Sequence, residues 1–157
     1  MIDPRPAPDT GKVNRITEEA RRWIGTPYHH RASLRGVGTD CLGLIRGVWR
    51  DLYGEEPEPL PDYSPDWAEA TGAETMSDAA ARNMDAIPVD DVRPGDVVLL
   101  RLRRNGPARH AGILAERDGT RTMIHAPSRR AVCEEPFDAR WERALACAFC
   151  FPDKPEL

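Results

Sequence analysis

Apolar residues recur every three or four positions in two stretches of the N-terminal half. In residues 12–23 these positions are Val13, Ile16, Ala20 and Trp23. After Cys41 they are Leu44, Ile45, Val48, Trp49 and Leu52. Such spacing places the apolar side chains on one face of a helix. The pattern therefore predicts an amphipathic helix over 12–23, ended by Gly25 and Pro27, and a second helix that begins at Cys41 and ends at Gly54.

The second half of the chain has the pattern of β-strands. Five apolar or alternating runs are predicted to be strands: 97–102, 109–116, 121–126, 131–134 and 144–151. Asp118-Gly119 between two of these runs is a strong hairpin signal. Helices followed by an antiparallel meander predict an α+β domain.

Proline-rich segments divide the remainder of the chain. Residues 1–11 are predicted to form a flexible arm, and Glu55–Asp66, with four prolines, a long surface loop. Residues 67–84 have a weak helical pattern. We therefore predict a single domain over 12–151, followed by a tail over 152–157.

Composition narrows the class of protein. A chain of 157 residues is long enough for one domain with a real core, and 22 basic against 26 acidic side chains leave no nucleic-acid footprint. No apolar run approaches the roughly 18 residues that span a bilayer, so we expect no membrane insertion. Residues 1–10 do not resemble a signal peptide, so synthesis in the cytoplasm is expected. Four cysteines are too few and too scattered for a disulfide scaffold.

Cys41 is a candidate nucleophile because it stands at the predicted start of a helix. Thr39 or Asp40 can cap this helix. Free amides and the helix dipole favour an anion at this end, which predicts a lowered thiol pKa. The alternative is a small apolar residue packed beneath the helix.

Two histidines can supply the base that such a thiol needs. His110 opens one predicted strand, and His125 ends the next strand across the Asp118-Gly119 turn. Neighbouring strands are about 4.8 Å apart, so the two imidazoles can come within hydrogen-bonding distance. A thiol, a histidine and a group that orients the histidine suffice for nucleophilic catalysis.

Five motifs occur in the order found in one known family. They are Gly25-Thr26-Pro27-Tyr28, Asp40-Cys41-Leu42-Gly43-Leu44, Arg93-Pro94-Gly95-Asp96, His110-Ala111-Gly112-Ile113 and Ile124-His125-Ala126. In this respect the chain resembles the NlpC-type cell-wall peptidases, which are papain-like cysteine peptidases, over residues 13–151. Residues 40–50 resemble most closely the branch carried by phage tails and gene-transfer agents.

The resemblance implies a papain-like α+β fold and a set of roles. Cys41 would be the nucleophile, His110 the general base, and His125 the group that orients His110. Tyr28 would stabilise the oxyanion together with the Cys41 amide, or would be a packed aromatic. Asp40 would hold a substrate amine, cap the helix, or do both. No metal or cofactor is implied.

One position departs from the family pattern. Much of the family has Ser after the catalytic Cys, whereas this chain has Leu42, which puts recognition of a free N-terminal L-Ala in doubt. His29 and His30 are expected to be polar rim residues, with a zinc site as the weaker alternative.

The function expected from the resemblance is hydrolysis of the γ-D-glutamyl–diaminopimelate amide in the peptidoglycan stem peptide. A phage-like tail would carry the enzyme to the recipient's periplasm, with a tail or baseplate hub protein as partner. One alternative is a structural adaptor of the baseplate or tail that retains the peptidase fold. Another is an acyltransferase or amidase that uses the same thiol and histidine.

Overall fold

Two helices form the N-terminal part of the fold. A computed structural model describes residues 5–58 and 75–153. Helix α1 (Thr10–Arg21) has Asp9 as its N-cap, and helix α2 (Cys41–Tyr53) has Asp40. Both predicted helices are confirmed, although α1 begins at Thr10 rather than Lys12 because the Asp9 carboxylate accepts from the Lys12 amide. Gly54 ends α2 with a φ of 93°, which only glycine adopts readily.

A six-stranded antiparallel sheet forms the other part of the described chain. Its strands are β3 (Asp85–Ile87), β4 (Val97–Leu100), β5 (His110–Arg117), β6 (Thr120–His125), β7 (Cys133–Pro136) and β8 (Leu145–Cys150). Their order is β3-β8-β4-β5-β6-β7. Two short strands, β1 (Ser33–Leu34) and β2 (Gly38–Thr39), pair separately just before α2. The α+β class is thereby confirmed.

The sheet departs from a simple meander at one point. Strands β4 to β7 follow one another as predicted, but β8 returns to pair with β4 on the opposite side from β5. The Asp118-Gly119 hairpin is confirmed, and both residues have positive φ angles of 54° and 79°. The first predicted strand was too long, because β4 stops at Leu100 and Leu102 is exposed.

The sheet is buried on both faces, which explains the unbroken apolar run in β4. Val97 and Leu99 pack with α1 and α2 in one core, whereas Val98 and Leu100 belong to a second core on the opposite face. Helix α4 (Ala139–Ala144) lies on that second side, where Trp141 packs against the core. Neither α4 nor β3 was predicted from the sequence.

Helix α3 (Thr75–Asn83) lies within the predicted helical stretch 67–84. Its Met76 and Ala80 are buried in the first core. The remainder of that prediction, the Glu55–Asp66 loop from residue 59 onward and the tail from residue 154 onward lie outside the described residues. Among the described helices, none has the length and apolar character needed to cross a membrane.

Residues 5–9 of the predicted arm contact the domain through a buried ion pair. The Arg5 guanidinium donates to both oxygens of Asp96 at 2.6 and 2.7 Å, and the Asp96 side chain is only 3% exposed. Asp96 also accepts from the Arg93 amide, so the Arg93-Pro94-Gly95-Asp96 motif forms a turn around this carboxylate. The motif thus has a structural role.

Arg5→Ala is expected to lower the free energy of unfolding by about 1–3 kcal/mol. A charge-assisted pair to a buried carboxylate is lost, and among the described residues the Asp96 carboxylate keeps the hydrogen bond from the Arg93 amide. Urea denaturation followed by circular dichroism measures the effect. The matched control is Arg22→Ala, which removes an exposed pair with Glu19 and should change stability by less than about 0.5 kcal/mol. Equal losses of unfolding free energy in the two variants would show that the Arg5–Asp96 pair stabilises the fold no more than the exposed pair does.

Candidate active site

The start of helix α2 holds Cys41 in a fixed position. Asp40 is the N-cap: one carboxylate oxygen accepts from the Gly43 amide at 2.7 Å, and the other accepts from the Arg31 amide at 2.8 Å. Of the two predicted cap residues, the structure therefore selects Asp40. Thr39 instead donates its hydroxyl to the Asp40 carbonyl. These contacts orient the first turn of α2, and with it the thiol.

The Cys41 thiol does not have the lowered pKa that its helix position predicts. Burial raises the pKa to about 12, the Asp40 carboxylate also raises it, and the backbone amides of Ala111, Leu42 and Cys41 lower it by less. The helix-start effect is therefore present but smaller than the cost of burying a thiolate. The prediction of a lowered pKa was wrong for this reason.

Cys41 is accordingly expected to react with iodoacetamide slowly at neutral pH and progressively faster as the pH rises. Below its pKa, the thiolate fraction of a thiol grows about tenfold per pH unit. Peptide mapping by mass spectrometry separates Cys41 from the other three cysteines. A rate that is already constant at mildly acidic pH would contradict this prediction, because it would indicate a stable thiolate–imidazolium pair.

His110 and His125 lie side by side on strands β5 and β6. His110 Nε2 is 2.8 Å from His125 Nδ1, so the adjacency predicted from the hairpin is confirmed. Both rings are buried. Burial lowers the pKa of His110 to about 3, with further lowering by the charges of His125 and Arg109, so the ring is neutral at physiological pH.

Glu135 determines which nitrogen atoms of the histidine pair carry protons. His125 Nε2 is 3.2 Å from Glu135 Oε2, and a carboxylate can only accept. Burial would raise the pKa of Glu135, but hydrogen bonds from Trp141 and His125 outweigh it and keep the group ionised. His125 therefore carries its proton on Nε2 and accepts on Nδ1 from His110 Nε2–H. This leaves the lone pair of His110 on Nδ1, where it can accept a proton from a thiol.

Trp141 covers the histidine pair from helix α4. Its ring stacks on His110 with centroids 6.1 Å apart and meets His125 edge-on at 5.3 Å. Its indole N–H donates to Glu135 at 2.8 Å. Trp141 thus excludes water from the rings and holds the carboxylate that orients them.

Tyr28 stands beside the start of α2 because its segment pairs with Thr39. The His29 amide donates to the Thr39 carbonyl, and the Thr39 amide donates to the Pro27 carbonyl, each at 3.0 Å. Burial, followed by the charges of Asp40 and Cys41, raises the pKa of Tyr28, so its hydroxyl remains a proton donor. A side-chain hydrogen bond joins it to Ser128.

All five predicted site residues line one cleft. The cleft has a volume of about 300 Å³ and includes Tyr28, Asp40, Cys41, His110 and His125. Leu42 and His30 also line it, and His30 Nδ1 lies 3.9 Å from the Asp40 carboxylate. His29 is exposed, and within the described chain neither His29 nor His30 belongs to a group of three potential metal ligands.

The sequence analysis did not predict that Ser128, Glu135 and Trp141 line the cleft. The run Asp138-Ala139-Arg140-Trp141-Glu142 has the N-cap and helix formers of a short helix, so α4 had a local signal. Nothing local indicates that its tryptophan reaches two histidines on other strands.

One known protein family covers most of the chain. The model of the NlpC/P60 family matches residues 25–149. No curated protein sequence matches the chain.

Solved structures with a similar fold include three from this family. A protein of the NLP/P60 family from Staphylococcus aureus, described as similar to lipoprotein, has 19% identity and a TM-score of 0.62, covering 98% of this chain and 46% of its own. The NlpC/p60 domain of the peptidoglycan hydrolase SagA has 21% identity and a TM-score of 0.58, with 88% and 98% covered. The peptidoglycan hydrolase RipB from Mycobacterium tuberculosis has 15% identity and a TM-score of 0.58, with 98% and 75% covered.

These identities show a shared fold. The chain spans less than half the length of the Staphylococcus aureus structure and 40% of that of a related structure from Bacillus cereus.

Proposed function

The chain belongs to the NlpC/P60 family, whose members are cysteine peptidases that hydrolyse peptidoglycan, and we propose that it cleaves the peptidoglycan stem peptide through a thioester on Cys41. The observation that carries the proposal is the arrangement of the cleft. A thiol at a helix start shares it with a buried histidine pair whose proton positions leave the lone pair of His110 Nδ1 free to accept a proton.

The first chemical step joins Cys41 to the scissile carbonyl. As Sγ attacks the carbonyl carbon, His110 Nδ1 accepts the thiol proton, so no thiolate needs to exist beforehand. This route suits a site in which burial raises the pKa of the thiol and lowers that of the imidazole. The negative charge moves to the carbonyl oxygen, where the Tyr28 hydroxyl and the Cys41 amide would donate to it.

The second half of the reaction regenerates the enzyme. The tetrahedral intermediate collapses to a thioester as the C–N bond breaks, and His110 gives its proton to the leaving amine. A water molecule then attacks the thioester while His110 accepts one of its protons, the C–S bond breaks, and His110 returns that proton to Cys41 Sγ; the acid product leaves as a carboxylate and releases its proton to solvent. His125, held by Glu135, stabilises the His110 ring while it is charged.

We place the scissile bond between γ-D-glutamate and diaminopimelate. The family motifs around Cys41 and His110 support this choice. Asp40 is the candidate group for a substrate amine, since it lines the cleft near His30. Much of the family has a Ser hydroxyl at the position of Leu42, where this chain has an apolar side chain. A contact with the L-Ala amine would therefore be made by Asp40 alone of these two positions.

Digestion of purified Gram-negative peptidoglycan tests the proposal directly. Wild type should release fragments that end at D-glutamate, together with new free amines on diaminopimelate, as read by mass spectrometry. Folded Cys41→Ala should release neither. Hydrolysis adds the mass of water, whereas an acyltransferase would add an acceptor. Intact muropeptides after treatment with folded wild type would overturn the proposal.

We also propose that a phage-like tail or gene-transfer particle delivers the enzyme to the recipient's periplasm. Support comes from the likeness of residues 40–50 to the tail-borne branch. Mass spectrometry of gradient-purified particles, with crosslinking to a tail or baseplate hub protein, tests this part. Absence of the chain from particles that contain all other tail proteins would contradict it.

A further inference from the structure

Three potential metal ligands lie close together on strands β6 and β7, and one of them is His125 of the histidine pair. One ring nitrogen of His125, Sγ of Cys133 and a carboxylate oxygen of Glu135 all lie within 4.8 Å of one another, and Nε2 is the nitrogen that faces Glu135. We propose that this group, called here the His-Cys-Glu cluster, binds one Zn²⁺ ion and that the bound ion switches off the hydrolase. The binding part stands by itself, and the inhibitory part rests on the proposed function.

The backbone holds these three side chains on one face of the sheet. His125 and Cys133 are directly opposite each other on β6 and β7, and Glu135 follows Cys133 by two positions. Directly paired residues and residues two apart in a strand point to the same face. The cluster is therefore set by strand pairing, and little reorganisation is needed to close it around an ion.

Two of the three ligand separations are close to those of a tetrahedral zinc site. With zinc bonds of about 2.0–2.3 Å to N, O and S, tetrahedral geometry separates N from O by about 3.3 Å and S from O by about 3.5 Å. The corresponding distances here are 3.2 Å from His125 Nε2 to Glu135 Oε2 and 3.7 Å from Cys133 Sγ to the same oxygen. A water molecule would complete the coordination.

Glu135 is already turned toward the ion position. Its Oε1 accepts from Trp141 Nε1 at 2.8 Å and from Arg140 at 3.3 Å. Its Oε2 faces His125 and Cys133. One oxygen thus anchors the carboxylate, and the other is presented to the ion.

The donor set selects the kind of metal. One nitrogen, one sulfur and one oxygen donor suit Zn²⁺, whereas Mg²⁺ and Ca²⁺ require oxygen ligands. When the Zn–S bond forms, the Cys133 thiol releases its proton to solvent. The thiolate and the carboxylate then balance the charge of the ion, which matters because Arg130 and Arg140 bring positive charge near His125.

Zinc at His125 would reverse the proton positions on which catalysis depends. The metal needs the lone pair of Nε2, so the proton of His125 moves to Nδ1, which then donates to His110 Nε2. Neutral His110 must in turn carry its proton on Nδ1, the nitrogen that otherwise accepts from Cys41. The bound ion therefore removes the general base without contacting the nucleophile.

Zinc titration of Cys41→Ala by isothermal calorimetry tests binding separately from activity and removes the competing catalytic thiol. One ion per chain is expected. Adding Cys133→Ala should weaken binding by more than the roughly 10- to 100-fold loss caused by removal of an outer-shell partner. Cys41→Ala/Glu135→Gln tests the carboxylate ligand in the same way. The matched control adds Cys150→Ala, which removes another half-buried free cysteine, on β8, and should leave affinity unchanged.

Inhibition is measured on muropeptide hydrolysis. Zinc should inhibit wild type and Cys150→Ala reversibly, with EDTA restoring the rate, whereas the rate of Cys133→Ala, compared with its own rate without zinc, should be insensitive to the ion. Equal inhibition of Cys133→Ala would place the ion on Cys41 and overturn the proposal, as would no binding by Cys41→Ala. If wild type cleaves no muropeptide, the proposed function fails, and the calorimetry still decides the zinc site.

Discussion

Cys41→Ala is expected to lower kcat/KM for a muropeptide by on the order of 10⁵- to 10⁶-fold, and His110→Ala by a comparable factor. In the proposed mechanism the two residues act in a single event, since sulfur attacks as its proton moves to the imidazole. The double variant should therefore be no slower than Cys41→Ala alone. Residual turnover would come from substrate binding and from stabilisation of the oxyanion by the Tyr28 hydroxyl.

The control for this pair is Cys147→Ala, which removes a half-buried cysteine that packs on the first core and hydrogen-bonds with Ser77. It should cleave at nearly the wild-type rate. Losses that multiply in the Cys41→Ala/His110→Ala variant would show that the thiol and the imidazole act independently. In that case the proposed proton transfer between them would be wrong.

Gly43→Ala is expected to lower both stability and turnover more than any other single methyl group added near the site. An alanine Cβ at this position would lie 2.0 Å from the Ala32 carbonyl oxygen and 2.5 Å from Thr39 Oγ1. The helix cannot rotate away easily, because the Gly43 amide donates to Asp40 and the Gly43 carbonyl accepts from Ser33 at 2.6 Å. Either the loop or the start of α2 must shift.

Overpacking of this kind costs about 1–3 kcal/mol, and a displacement of about 1 Å at a nucleophile can reduce turnover about 100-fold. Urea denaturation and muropeptide kinetics measure the two effects. Gly11→Ala in α1 is the matched control, since nothing lies closer to its added Cβ than 3.4 Å. It should stabilise the helix by about 0.5–1 kcal/mol. A Gly43→Ala enzyme with wild-type stability and rate would show that the contact relaxes freely.

Local patterns predicted the parts of the fold that have local causes. The two N-terminal helices follow from apolar spacing and capping residues, and the hairpin follows from Asp118-Gly119. The return of β8 to the side of β4 could not be predicted, because strand order depends on which faces and edges remain unpaired after the rest of the sheet has formed.

In the candidate site, too, only the features with a local cause could be predicted from the sequence. The closeness of His110 and His125 could be predicted because one hairpin joins their strands. The raised pKa of Cys41 could not, since it comes from the depth at which α2 packs against β5. The contacts of Glu135 and Trp141 with the histidines could not be predicted for a similar reason, since they form only when the sheet and α4 have assembled.

The proposed catalytic pair is divided between the two parts of the fold, with Cys41 on helix α2 and His110 on strand β5. A partly folded chain therefore has a thiol without its base. Because this long-range contact requires both parts to be packed, we expect the ability to cut peptide bonds to be acquired late in folding. Under the proposed function, this division would protect the cell that synthesises the enzyme, since incompletely folded chains would lack the assembled pair.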